Sequence, residues 1–117
     1  MGIGRIFKAW RYSMQGLSAA IRHEAAFRQE LILAVVLVPC AFALGRSITE
    51  ISMLLGAILV VLITELLNSA IEAVADAVSL EAHPLIGRAK DIGSAAVWLA
   101  FLLLILIWGG VALSRFL

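Results

Sequence analysis

The sequence predicts an all-α membrane protein, an N-terminal amphipathic interfacial helix followed by three transmembrane helices. Three observations carry that expectation. Hydrophobic side chains make up 63% of the chain and mean hydropathy is +1.08, well above the roughly half-apolar composition of soluble domains. A soluble fold of 117 residues has too small an interior to hide so much Leu, Ile, Val and Ala from water. The apolar residues also fall into long blocks, and the segment ahead of them is basic and helically patterned.

In that first segment, residues 1–23, Ile6, Phe7, Trp10, Met14, Leu17 and Ile21 recur at helical spacings with Arg5, Lys8, Arg11 and Gln15 between them. This is the pattern of a helix lying in the membrane interface. Ser13 and Gly16 weaken it, and a break near Gly16 stays open as an alternative. The first span is expected at about 25–45. Its charge-free core, Leu31 to Leu44, is shorter than the ~20 residues a bilayer requires, so it borrows the preceding turns and brings Glu24, Arg28 and Glu30 to the boundary. Gly45-Arg46-Ser47 reads as a turn and Thr49-Glu50 as a helix start. The second span is expected at about 50–78, because Leu66, Leu67, Ala70, Ile71, Val74 and Val78 keep it apolar beyond Glu65. The third, at about 90–114, carries no charge from Ile92 to Ser114. Without repeats, low-complexity tracts or linkers, residues 1–117 are expected to form a single domain.

Arg5, Lys8, Arg11, Arg22, Arg28, Arg88 and Lys90 fall on one side of these spans, and Arg46 and Arg115 on the other. The positive-inside rule then puts the N-terminus in the cytosol. A basic N-terminal arm suits an anionic bilayer surface, and with few cations elsewhere no nucleic-acid partner is expected. The lone Cys40 excludes an intrachain disulfide and a zinc cluster, and reads as a packing residue. No apolar run precedes a small-residue cleavage site, so no cleaved signal peptide is expected.

The chemistry concentrates on the second span. Glu65, Asn68, Glu72 and Asp76 are spaced three, four and four, within an arc of roughly 80° around a helix, with Ser69 at its edge. Carboxylates in hydrocarbon are costly unless paired, protonated or metal-bound, so the stripe must face protein, a watery cleft or a cation. A helix end frayed into the cytosol accounts for Asp76 but not for Glu65. Two chemistries suit the stripe. Its carboxylates can hold a hard cation such as Mg2+ that bridges to a nucleotide's phosphates. Glu65, the deepest, can accept a proton from a lipid hydroxyl.

Glu24 enters at the same face and either completes a metal site with Glu72 or snorkels in company with Arg22 or Arg28. At the start of the third span Lys90 offers a compact charge for phosphate and Asp91 a helix-start or site acid; a plain juxtamembrane anchor would look similar. No GxxxxGK[ST] loop and no kinase glycine loop is present, so a nucleotide site here is not of the familiar soluble types. His83 on its own reads as a solvated loop histidine.

Three blocks, Glu24-Ala-Ala-Phe-Arg-Gln-Glu30, Glu65-Leu-Leu-Asn-Ser-Ala-Ile-Glu-Ala-Val-Ala-Asp76 and Gly87-Arg-Ala-Lys-Asp-Ile-Gly-Ser-Ala-Ala96, closely resemble the prokaryotic diacylglycerol kinase family in order and spacing. The resemblance spans nearly the whole chain. It implies an ATP-dependent lipid kinase of the bacterial cytoplasmic (inner) membrane, with its active site at the cytosolic face. It further implies a homotrimer with sites between subunits, moving the γ-phosphate of Mg-ATP to diacylglycerol to give phosphatidic acid. By motif position it implies Glu65 as general base, Glu24 and Glu72 as Mg2+ ligands, and Asn68, Asp76, Lys90 and Asp91 as supporting groups around the phosphates. Arg5, Tyr12, Glu81 and His83 match positions around the nucleotide, while Ala9, Ser13, Arg28, Gln29, Glu30, Ser94 and Trp108, with Arg5 and Glu65, match positions on the lipid.

The departures lie in the Glu81-Ala82-His83-Pro84 loop, where the family carries an aromatic at the place of Ala82 and an acid at that of Pro84. A sister branch acts on undecaprenol and shows an N-x-R-I-H-like block where this chain reads Ala26-Phe27-Arg28-Gln29-Glu30, a difference that favours diacylglycerol and leaves undecaprenol kinase as the alternative. Two other classes fit less well. An oligomeric ion-conducting protein is opposed by the clustering of acids toward one membrane face. A structural subunit assembling through Gly56, Ala57 and Ala70 leaves Glu65, Glu72 and Asp76 without a purpose.

Overall fold

In the computed structural model, which describes residues 2–78 and 83–117, the chain is helical along nearly its whole course: α1 (Gly2–His23), α2 (Ala25–Leu44), α3 (Ile48–Val78) and α4 (Pro84–Phe116). Three of them, α2, α3 and α4, are long and apolar enough to cross a membrane. At about 1.5 Å per residue, α2 with its 20 residues is about 30 Å long, close to the hydrocarbon thickness. The 31 residues of α3 span about 46 Å and must project beyond it. A slab of about 20 residues starting at Glu50 ends close to Ala70, which leaves Glu65 inside, Asn68 at the boundary, and Glu72 and Asp76 in the headgroup layer.

Helix α1 is amphipathic and continuous through Gly16. A single glycine costs a helix only about 1 kcal/mol relative to alanine, which a helix of 22 residues absorbs. Its last carbonyls are satisfied from the next element, because the Arg28 guanidinium on α2 donates to the carbonyls of Ile21 (2.9 Å) and Arg22 (3.0 Å). A cation at a helix C-terminus also complements the helix dipole. The chain bends at Glu24, which takes an extended conformation as N-cap of α2.

Between α2 and α3, Ser47 Oγ accepts from the Glu50 amide (3.1 Å), and Glu50 Oε1 reaches back one residue further to accept from the Arg46 amide (2.9 Å). Gly45 is pressed against the Ile51 side chain and the Ala41 carbonyl, a turn too tight for a Cβ. Beyond the residues left undescribed, α4 starts on His83, whose Nδ1 accepts from the Leu85 amide (3.2 Å), with Pro84 in the first turn where its missing amide hydrogen costs nothing.

The core lies where α2, α3 and α4 meet. Ala34, Ala57, Ile58, Val61, Ala100 and Leu104 form one cluster and Ala41, Leu54 and Val111 a second toward the α2–α3 turn. Alanines let the helix backbones approach closely, and tight packing rather than water exclusion holds helices together in lipid. Large side chains such as Val35, Leu59, Leu99 and Ile105 stay outside, as contact with acyl chains requires. The end of the bundle near the α2–α3 turn is further fastened by polar ties: Trp108 Nε1 donates to the Leu54 carbonyl (3.2 Å), Arg46 to Ser114 Oγ (2.9 Å) and Arg115 to the Leu44 carbonyl (3.2 Å).

Candidate active site at one end of the bundle

Along α3, Leu54, Ile58, Val61, Glu65, Asn68, Glu72 and Ala75 alternate steps of four and three, the period of a left-handed helix seam. The first three are core residues; Glu65 and Asn68 occupy the same seam deeper along the helix, 5% and 8% exposed. Glu65 and Asn68 therefore lie on the core-facing face of α3, whereas Glu72 is part-buried and Asp76, beside the seam position of Ala75, is exposed. That placement turns costly polar groups inward, where protein groups or a bound ion can meet them.

Within this face Asn68 Nδ2 donates to Glu72 Oε1 (3.1 Å), one turn on. Asn68 Oδ1 is buried with no hydrogen-bond partner among the described residues, and it lies against Gly93 of α4. One turn further out, Lys90 Nζ meets Asp76 Oδ1 at 2.7 Å. Lys90 and Gly93 lie on one side of α4, so that helix offers the stripe one cation and one gap.

Glu24 reaches the same end from the α1–α2 bend. Its carboxylate makes no cap hydrogen bond to α2. It lines a groove of about 760 Å3 between the second half of α1 and α3, together with Ser13, Gly16, His23, Leu66, Ser69 and Ala73. Glu65 is close enough to feel the charges of both Glu72 and Glu24. Among the described residues no group of three or more His, Cys, Asp and Glu side chains is arranged to hold a metal. Glu24 and Glu72, the second held by the Asn68 amide, are the carboxylates at this end that could hold a hard divalent cation, which binds through one or two carboxylates plus substrate phosphates.

The remaining candidates divide by position. Arg5, Ala9 and Tyr12 are exposed on the first half of α1, with Arg5 about 28 Å along the helix from Glu24. Asp91 and Ser94 are exposed on α4, and Asp91 points about 160° away from the Gly93 side, so a single chain does not bring it to the stripe. Gln29 is exposed on α2, and Arg28 is engaged with the end of α1. Glu30 is half-buried beside Leu33, Ala34, Ile58 and Val61, within reach of the Glu65 charge, and its Oε2 has no partner among the described residues. His83 is the cap of α4, and Trp108 is tied to Leu54 near the opposite end of the bundle. Glu81 lies outside the described residues.

Two residues of this region carry no role from sequence reasoning alone. Ser69 is buried and lines the groove beside Glu24, and Gly93 abuts Asn68. The signal for Gly93 is its place in a seam with Ala100, Leu104 and Val111, spaced seven, four and seven, where it is the smallest member.

Three apolar spans whose packed seam turns acidic at one end define a helical membrane protein equipped for charged chemistry at a bilayer surface. Comparison with known proteins narrows the class. The model of the family described as "Prokaryotic diacylglycerol kinase" matches residues 11–112. The proteins named "Diacylglycerol kinase" from Pseudomonas aeruginosa and Haemophilus influenzae are 50% and 44% identical to it, over 97% and 94% of this chain and 92% and 93% of theirs. That of Escherichia coli K12 is 45% identical over 98% of this chain and 94% of its own. The chain belongs to the prokaryotic diacylglycerol kinase family.

Proposed function

We infer that this protein is a diacylglycerol kinase that transfers the γ-phosphate of ATP to the free hydroxyl of diacylglycerol, giving phosphatidic acid and ADP. Family membership supports the lipid-kinase activity, and the observation that carries the mechanism is the seam of Glu65, Asn68 and Glu72 capped by the Lys90–Asp76 pair. Glu65, the most deeply placed acid, takes the hydroxyl proton as the lipid oxygen attacks the γ-phosphorus and the bond to the β–γ bridging oxygen breaks. Lys90, released from Asp76, holds phosphate oxygens. Asn68 fixes the Glu72 carboxylate, and Glu72 with Glu24 would hold Mg2+. When bound, that ion supplies charge neutralisation on the phosphates, the larger part of what phosphoryl transfer asks of a protein.

The groove between α1 and α3 suits the glycerol end of the lipid, with Ser13 and Glu24 among its walls. Arg5, Ala9 and Tyr12 on α1 and Asp91 and Ser94 on α4 present outward. Their facing supports sites completed between subunits of a homotrimer, each chain lending one surface to its neighbour. The N-terminus and the acidic end of the bundle are assigned to the cytosolic side of the inner membrane, where ATP is present, on the strength of the cation distribution.

The test is transfer of label from γ-labelled ATP by purified protein in bicelles, offering diacylglycerol and undecaprenol in parallel with and without Mg2+. Labelled phosphatidic acid formed only with Mg2+ is expected. Preferential labelling of undecaprenol would reassign the acceptor, and no labelled lipid in either arm would remove the kinase reading.

A further inference from the structure

Gly93 is buried on the α3-facing side of α4, and a Cβ placed there would collide with Asn68 Oδ1 and come within 3.3 Å of its Cγ. The backbone does not call for glycine, because no described glycine has positive φ. The rest of the seam does not demand so small a residue: the other buried α4 residues on it, Ala100, Leu104 and Val111, all carry side chains. A mid-helix glycine is also unfavourable by about 1 kcal/mol against alanine. What the missing Cβ accommodates is the Asn68 carboxamide. That amide is held in one orientation, with Nδ2 on Glu72 and an unpartnered Oδ1 toward the glycine.

We propose that Gly93 is a positioning residue: by leaving room on α4 it fixes the Asn68 carboxamide, and through it the Glu72 carboxylate, in the orientation that receives a divalent cation. The colliding atom is the end of a side chain, not backbone, so the cheap response to an added methyl is rotation of Asn68 while Ala100 and Leu104 keep the two helices in place. Rotation breaks the Asn68–Glu72 bond and frees Glu72 to sample other rotamers. The inference rests on the proposed reading of Glu72 as a metal ligand.

The experiment is Mn2+ binding, followed by electron paramagnetic resonance with a non-hydrolysable ATP analogue, on full-length protein in bicelles, alongside thermal unfolding. Gly93→Ala is expected to weaken Mn2+ binding about tenfold or more, the scale of losing a group that orients a ligand, with little change in thermal midpoint. In an Asn68→Ala background the same substitution is expected to add nothing, because the methyl then has space. Gly110→Ala, whose Cβ would meet nothing within 4 Å, should bind Mn2+ like the unsubstituted protein.

Unaltered Mn2+ binding by Gly93→Ala, or equal weakening in both backgrounds, would overturn the proposal. Should Gly93→Ala fail to fold, recovery of the fold in the double variant supports the clash with Asn68, and failure of both overturns it. Unaltered binding by Glu72→Gln would sink the metal reading itself, whereas a weakened Glu72→Gln beside an unaltered Gly93→Ala sinks only the role given to the glycine.

Discussion

The ammonium nitrogen of Lys90 sits 2.7 Å from Oδ1 of Asp76, joining α4 to α3 at the end of the bundle where the acidic seam emerges. Both side chains are about half exposed, so water competes for each of them and the pair adds little to the stability of the fold. Such a contact can be given up when a stronger anion arrives.

Lys90→Met should therefore leave thermal unfolding in detergent essentially unchanged while phosphoryl transfer falls by a factor on the order of 10², as for loss of one charge-stabilising group. A large loss of thermal stability with normal transfer would show the lysine to be a fastening and nothing more.

Glu65→Gln keeps the size and shape of a side chain that is 5% exposed and removes a charge from a costly environment. The thermal midpoint is expected to hold or rise, and turnover to drop by a factor of about 10² to 10⁴, the range for loss of a positioned base. Normal turnover in this variant would end its assignment as the proton acceptor.

Removal of divalent ions by EDTA is expected to abolish transfer, with recovery on adding Mg2+. Glu24→Gln and Glu72→Gln should each raise the Mg2+ concentration for half-maximal rate by about tenfold or more, a scale seen even for groups one step removed from a metal. An unshifted Mg2+ titration in both variants would detach these carboxylates from the ion.

Trp108→Phe removes the donor to the Leu54 carbonyl and trims a ring that packs against both core clusters. Stability should fall by at least about 1 kcal/mol, the usual net worth of one hydrogen bond, with the lost packing added to it and the rate at saturating diacylglycerol unchanged. A raised KM for the lipid would show that the indole also touches acyl chains.

The all-helical class and the three apolar spans are legible in composition, block length and charge placement, because lipid imposes those features directly on sequence. The polar arc of α3 is legible too, since spacing fixes angles around a helix axis. What faces that arc is not. Nothing in the order of residues says that Gly93 meets Asn68, that Lys90 meets Asp76, or that Glu24 opens onto Ser69 across a groove; those are choices of helix register and crossing made by the whole bundle. The start of α4 shows a different difficulty. His83 and Pro84 are a good cap and first residue, but the charges that follow draw a hydropathy-based boundary later, to the edge of the membrane rather than of the helix. Arg28 likewise reads as a boundary cation, and only the bend at Glu24 turns it back onto the carbonyls of α1.

The ties of Trp108, Arg46 and Arg115 have a mechanical side. Asp76 lies about 33 Å along α3 from Leu54, the residue that Trp108 holds. A tilt of about 5° around that end would carry Asp76 through about 3 Å, roughly the length of a hydrogen bond, while hardly moving Leu54.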